Sequence, residues 1–137
     1  APQSVRRAIV EHAREGGDLE VCGFLVGQRG KEAVVVARSV RASNVAAEGR
    51  AERFTVDPRE ILRLQEDLER SGEELVGVYH SHPRGRAEPS ALDLRNASLW
   101  PCMLHAIVGL GGSAEDELSF YWSPSERAGL VLCSGPP

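Results

Sequence analysis

Cysteine is scarce in this 137-residue chain: Cys22, Cys102 and Cys133 make an odd set, and no two of them form a CxxC pair. That excludes a disulfide framework and an all-thiolate zinc site, leaving free thiols as the default. Long apolar runs are missing as well. No stretch approaches the ~18 residues a membrane helix needs, and Arg6 and Arg7 precede any apolar segment, so neither a membrane helix nor a signal peptide is expected. A cytoplasmic location follows. Lysine is nearly absent, with Lys31 alone against fifteen arginines, a bias of genome composition or heat adaptation that says nothing about chemistry. Positive charge is not in excess either. A net charge of -4 argues against sequence-independent nucleic-acid binding, which needs a basic surface to displace counterions. Internal repeats and long Pro/Gly/Ser linkers are also lacking, so one domain over residues 1–137 is expected. With 42% hydrophobic and 26% charged residues, the chain has the makings of an ordinary packed core.

Ser4 stands where it could cap a first helix whose Val5, Ala8, Ile9, His12 and Ala13 share one face, and Gly16-Gly17 ends it. A hydrogen-bonded core role suits His12 there. After Glu20, residues 21–26 and 33–40 form two β-branched runs around a turn at 28–31, which predicts a hairpin. Residues 41–53 are small and polar and read as a mobile flap. Asp57-Pro58 with Glu60 combines a cap, a first-turn proline and a capping-box acid, and Ile61, Leu64 and Leu68 supply a buried stripe up to Gly72. Residues 75–80 then read as a strand, 90–99 as a helix, and 104–108, 118–122 and 130–133 as further strands. Gly111-Gly112 and Ser123-Pro124 mark turns, and 134–137 a frayed tail. Helices and strands alternate without strict βαβ repetition, which predicts an α/β/α sandwich on a mixed sheet.

The chemistry concentrates in one stretch. His80 and His82 stand two apart at a strand end, so both imidazoles project from the same face. Ser90 and Asp93 stand three apart in a first helical turn and share a side of it. Two nitrogens and a carboxylate oxygen make three protein ligands, leaving a fourth tetrahedral position for water, as in catalytic zinc sites. Each feature has a plainer reading. Histidines often end strands for packing, Ser90 with Asp93 is equally a capping box, and Asp93 is hard pressed to be both cap and ligand.

This arrangement resembles the JAMM or MPN+ metalloproteases, whose motif is an upstream glutamate followed by HxHPx6SxxD. Here it stands as His80, His82, Pro83, Ser90 and Asp93, and Glu20-Val21-Cys22-Gly23-Phe24-Leu25-Val26-Gly27 is similar to the family's glutamate strand. The resemblance implies a JAMM-type mixed-sheet α/β fold akin to cytidine deaminases. It also implies one Zn²⁺ held by His80, His82 and Asp93, Glu20 as the acid–base on the metal's water, and Ser90 as an oxyanion donor. It further implies hydrolysis after the C-terminal glycine of a ubiquitin-like or sulfur-carrier protein ending in Gly-Gly. Residues 41–53 could serve as a short first insertion, and only 44 residues follow Asp93. That leaves no room for the second insertion of eukaryotic deubiquitinating members and favours the compact prokaryotic type. Homodimers are common in the family.

Rival readings stay open. The same five residues could serve a zinc peptidase or amidase acting on small peptides, or the surface could bind a ubiquitin-like protein without cutting it. Pro101-Cys102-Met103-Leu104-His105 is superficially similar to half of a zinc deaminase site, but that chemistry also needs an HxE element, and His80-Ser81-His82 stands instead. Cys102 and His105 read as core residues, and Trp100 as core or cleft wall. Arg84 and Arg86, between the ligand positions, are either solvated loop charges or contacts for an acidic partner.

Overall fold

The computed structural model describes residues 1–112, 116–124 and 129–133. The chain runs α1 (Gln3–Glu15), β1 (Cys22–Arg29), β2 (Val34–Ala42), α2 (Pro58–Ser71), β3 (Glu74–His82), α3 (Ala91–Asn96), a 3-10 turn (Ala97–Leu99), β4 (Leu104–Gly109), β5 (Glu117–Trp122) and β6 (Val131–Leu132). The strands form one sheet in the order β2-β1-β3-β4-β5-β6. β3 and β4 pair in parallel, with α3 in the crossover between them, and the other described pairs are antiparallel. This is the mixed α/β sheet that the alternation of elements predicts. The expected tail at 134–137 lies outside the described residues.

The two faces of the sheet are covered differently. On one, α1 presents Val5, Ile9 and Ala13 to Val21, Leu25, Val36, Val76, Tyr79, Ala106 and Val108. On the other, α2 lays Leu64 and Leu68 on Cys22, Phe24, Val26 and Val78. Burying each such aliphatic side chain contributes roughly 1.5–3 kcal/mol. Strand periodicity divides the residues between the faces, but β1 slips by one residue against each neighbour, at Val26/Gly27 toward β2 and at Leu25/Val26 toward β3. The β3 slip is a bulge that leaves Val76 unpaired with β1. It lets Val76 and Val78, two apart in sequence, serve opposite faces.

Several local expectations need correction. Helix α1 is capped two residues ahead of Ser4, the expected cap. Pro2 is its N-cap, and the Pro2 carbonyl takes the Val5 and Arg6 amides, with no side-chain cap among the described residues. Asp57 caps α2 as expected by accepting from the Arg59 amide, and Gly72 ends it at φ 75° in the left-handed region. The Glu60 carboxylate, however, does not close a capping box. It accepts from the Ser43 amide instead, tying the start of the 43–56 loop to α2. The helix expected over 90–99 ends at Asn96 and tightens into the 3-10 turn. The last strand shrinks to Val131–Leu132, and the β1–β2 turn closes through Gly30 donating to the Ala33 carbonyl.

Candidate active site

Strand β3 delivers His80 and His82 to the face that α2 covers only in part. His80 is buried and stacks on Phe54 with ring centroids 4.6 Å apart. Its Nε2 lies 3.1 Å from His82 Nε2, and the two nitrogens lie 3.1 and 3.0 Å from the same Asp93 oxygen, Oδ2. The result is a triangle about 3 Å on each edge. Ligands ~2.0–2.1 Å from a tetrahedral ion sit roughly 3.3 Å apart, so this donor set has the chemistry and the spacing of three zinc ligands. Glu20, in the turn before β1, brings a carboxylate oxygen to the same point: it and the two imidazole nitrogens lie within 4.8 Å of one another.

Asp93 answers a question the sequence leaves open. Its Oδ2 accepts from the Ser90 amide at 2.9 Å while Ser90 Oγ accepts from the Asp93 amide at 3.1 Å, a complete capping box. The same Oδ2 faces both histidines, so cap and site roles coexist on one carboxylate. Because the Ser90 hydroxyl acts as acceptor within the cap, its own proton stays available to an outside group.

Tautomers follow from the surroundings. The Arg86 carbonyl lies 2.9 Å from His82 Nδ1, which places a proton there and leaves Nε2 as a free lone pair. Burial pulls the His80 pKa down, outweighing the pull of Asp93 in the other direction, which keeps that ring neutral. For His82, burial acts downward, but Asp93 and the Arg86 carbonyl favour the doubly protonated ring and together raise its pKa, so the Nε2 lone pair belongs to the neutral form. Asp93 is opposed by burial yet held well below the usual carboxylate range by its contacts with His80 and His82.

Glu20 is the outlier. It is 5% exposed, and its Oε1 has no hydrogen-bond partner among the described residues. Burial pushes its pKa up to about 8, the nearby His82 opposing and Asp93 and Glu52 adding to the rise. A buried carboxyl oxygen without a partner is costly and calls for an explanation. A proton-transfer group aimed at a reacting molecule supplies one.

The loop between the ligand positions is held from below. The Leu110 amide donates to the His82 carbonyl at 3.1 Å, the Gly111 amide to Gly85 at 3.0 Å, and the Tyr121 hydroxyl to Ala87 at 2.7 Å. The approach is close enough to require glycine. A Cβ at Gly109 would stand 2.3 Å from the Ala87 nitrogen, and one at Gly111 2.1 Å from the Arg84 carbonyl carbon.

Two cavities flank the triangle. One, about 380 Å³, is walled by Phe54, Ile61, Leu99, Trp100 and His105 and reaches His80 and Asp93. The other, about 430 Å³, has Glu20, Glu52, His82, Arg84, Arg86 and Ser90 among its lining. Trp100 is therefore a cleft wall, and buried His105 lies on the cleft floor with Nε2 3.4 Å from the Trp100 carbonyl. Arg84 lies 3.7 Å from Asp18, both exposed, and exposed Arg86 lies 3.3 Å from half-buried Glu117. Cys102 stays out of both cavity linings. It sits in a turn at φ 55°, its carbonyl accepting from Arg29, so its role is to shape the turn after Trp100.

The family model for prokaryotic homologs of the JAB domain matches residues 2–124. The chain belongs to this family. Among relatives of this JAB domain is a desampylase of Haloferax volcanii, 43% identical over 111 residues, which are 78% of this chain and 77% of that protein. A desampylase of Pyrococcus furiosus is 36% identical over 101 residues, covering 73% and 66% of the two chains. A probable TtuB-protein conjugate cleaving protease of Thermus thermophilus is 31% identical over 96 residues, covering 70% and 61%. The chain thus spans from about three quarters down to somewhat under two thirds of these relatives. The fold is shared with a solution structure of a Desulfitobacterium hafniense protein, at TM-score 0.81 and 28% identity over 95% of this chain and 86% of that one. A Salinibacter ruber solution structure aligns at TM-score 0.69 and 29% identity, covering 98% and 87%. The JAMM resemblance carried by His80, His82, Pro83, Ser90 and Asp93 and the JAB family match agree.

The residues that meet here, Glu20, His80, His82, Ser90 and Asp93, are the candidates that the sequence points to. What sequence reasoning missed is the support around Glu20. Ser81, between the two histidines and fully buried, accepts from the Val21 amide at 2.9 Å. Asn44 donates to the Glu20 carbonyl at 3.0 Å. The alternation of β3 places Ser81 opposite the histidines and could have hinted at its role; nothing in the sequence marks Asn44.

Proposed function

We propose that this JAB domain is a zinc-dependent isopeptidase that hydrolyses the bond after the C-terminal glycine of a ubiquitin-like or sulfur-carrier protein. The observation that carries the reading is the His80–His82–Asp93 triangle lying beside a buried Glu20 carboxyl that lacks a partner. The names of the relatives, two desampylases and a conjugate-cleaving protease, support the substrate class. The described residues act as one catalytic unit. Free thiols at Cys22, Cys102 and Cys133 fit a reducing, cytoplasmic setting, and no helix among the described residues is long and apolar enough to cross a membrane.

His80, His82 and Asp93 would hold the zinc, with the Arg86 carbonyl fixing the far ring nitrogen of His82 and the Ser90 amide steadying the same Asp93 oxygen that faces the histidines. Bound there, zinc supplies a Lewis acid that makes water acidic near neutral pH and polarises a carbonyl. Glu20, whose carboxylate oxygen reaches the same point as the two imidazoles, accepts the proton of the attacking water and returns it to the departing amine. The Ser90 hydroxyl donates to the oxyanion of the tetrahedral species, an interaction of the kind typically worth ~3 kcal/mol. The cleft beside Glu20 and Ser90 and the one beside His80 offer room on both sides of the scissile bond.

The test is direct. The zinc-loaded protein is incubated with Gly-Gly-ended ubiquitin-fold carriers from the same genome, joined to a lysine ε-amine or extended past the last glycine, and the products are weighed by mass spectrometry. Cleavage after the terminal glycine is expected. Carriers left intact while short peptides are cut would replace this reading with a general peptidase; binding without any cleavage would replace it with a docking module.

A further inference from the structure

Glu20 belongs to no regular element, so something other than a helix or strand must fix it. Its backbone is held by the 43–56 loop. The Glu20 amide donates to the Arg50 carbonyl at 2.7 Å, and the Glu20 carbonyl accepts from Asn44 Nδ2 at 3.0 Å. Asn44 is also what gives that loop its shape. The same Nδ2 donates to the Arg53 carbonyl at 3.0 Å, and Oδ1 accepts from the Ala46 and Thr55 amides at 3.1 Å each. A backbone bridge pairs Asn44 with Val56, and the Val45 amide donates to the Thr55 carbonyl. One half-buried amide group therefore serves four partners, three within the loop and one on the residue whose carboxylate enters the site.

We infer that Asn44 is a positioning residue that sets the direction of the Glu20 carboxylate by locking its backbone to the 43–56 loop. The inference rests on the reading of Glu20 as the proton-transfer group. The geometry separates two jobs within one side chain. Oδ1 takes two amides of the loop, whereas Nδ2 is shared between the Arg53 carbonyl and the Glu20 carbonyl. Asn44→Asp keeps an acceptor for Ala46 and Thr55 and removes both donations, so the loop's own shape is largely preserved while the hold on Glu20 is lost. Asn44→Ala removes everything and adds no charge. Because a proton-transfer group must sit within hydrogen-bond reach of its partner, loosening Glu20 lowers turnover without weakening substrate binding.

The experiment compares wild type, Asn44→Asp and Asn44→Ala as zinc-loaded full chains. It measures kcat and KM on a synthetic peptide ending in Gly-Gly joined by an isopeptide bond to lysine. It also measures zinc content, and backbone amide exchange at Glu20 and, as a core reference, Val78. Both variants should lose about tenfold or more in kcat, with KM within about twofold and zinc retained. Exchange at Glu20 should quicken by about tenfold while Val78 stays protected. Unchanged exchange at Glu20, an equal acceleration at Val78, or a loss confined to KM each overturns the inference. Failure of the wild type to cut the peptide would instead count against the isopeptidase reading, and the exchange measurement then decides the role of Asn44 alone.

Discussion

The two faces of the sheet are built from the same strands and treated differently. Beneath α1 the face is closed: Ile9, Ala13, Leu25, Val76, Ala106 and Val108 are fully buried, and the main polar inclusion is the His12–Tyr79 pair. Beneath α2 the cover stops short. Leu64 and Leu68 seal Phe24, Val26 and Val78, but past Val78 the strand carries His80 and His82 into an open cleft. A two-residue period sends Tyr79 and Ser81 to the closed side and the histidines to the open one. One strand thus anchors the core and carries two residues of the candidate site, and the open face can hold costly groups such as Glu20 because the closed face supplies the stability.

The largest effects should come from breaking the open face. Glu20→Gln is expected to lower kcat by roughly 10³-fold while zinc stays bound. Asp93→Ala should lose activity by losing the metal, because it removes one corner of the triangle together with the α3 capping box. Metal analysis beside kinetics separates the two. Normal turnover in the glutamine variant, or full zinc occupancy in the alanine variant, would contradict the assignments.

The complementary substitution belongs to the closed face. Ile9→Ala opens a cavity under α1 and should cost about 2–5 kcal/mol in denaturant unfolding, with kcat little changed. Trp100→Ala, on the cleft wall, should do the reverse by raising KM with a smaller loss of stability. If the two variants exchanged these phenotypes, the division of labour between the faces would be wrong.

How much of this could be read from the sequence differs by scale. The site was legible because its chemistry is local: His80 and His82 are two apart on a strand, and Ser90 and Asp93 three apart in a helical turn, so spacing alone places each pair. The firm ends of α2 were legible for the same reason, since Asp57, Pro58 and Gly72 act within a turn of where they stand. What failed depended on distant partners. Glu60 forgoes its own helix cap because Ser43, distant in sequence but adjacent in space, offers an amide that needs an acceptor. The bonds that the 41–53 segment makes to Glu20 at Asn44 and Arg50 are contacts no periodicity encodes. Asp93 serving as cap and site residue at once follows from which lone pair points where, and composition carries no such information.

The smallest expected effect tests the polar pair within the closed face. His12 Nδ1 lies 2.6 Å from the Tyr79 hydroxyl, and burial, helped by the Arg41 charge and opposed by Glu15, lowers the His12 pKa. Burial also pushes the Tyr79 hydroxyl's pKa upward, so Tyr79 keeps its proton and donates it to a neutral imidazole. A histidine whose folded pKa is depressed favours the native state when neutral. Its contribution is present above the unfolded value near 6.5 and is lost as pH falls through the lower folded value. His12→Gln retains a hydrogen-bonding side chain without the titration. Its melting temperature should therefore lie below wild type by roughly 2–4 °C at pH 7.5, and the gap should shrink as the pH is taken to 5. A gap that stays constant over that range would mean that His12 does not change its charge on unfolding, and that the closed face holds this polar pair for its shape alone.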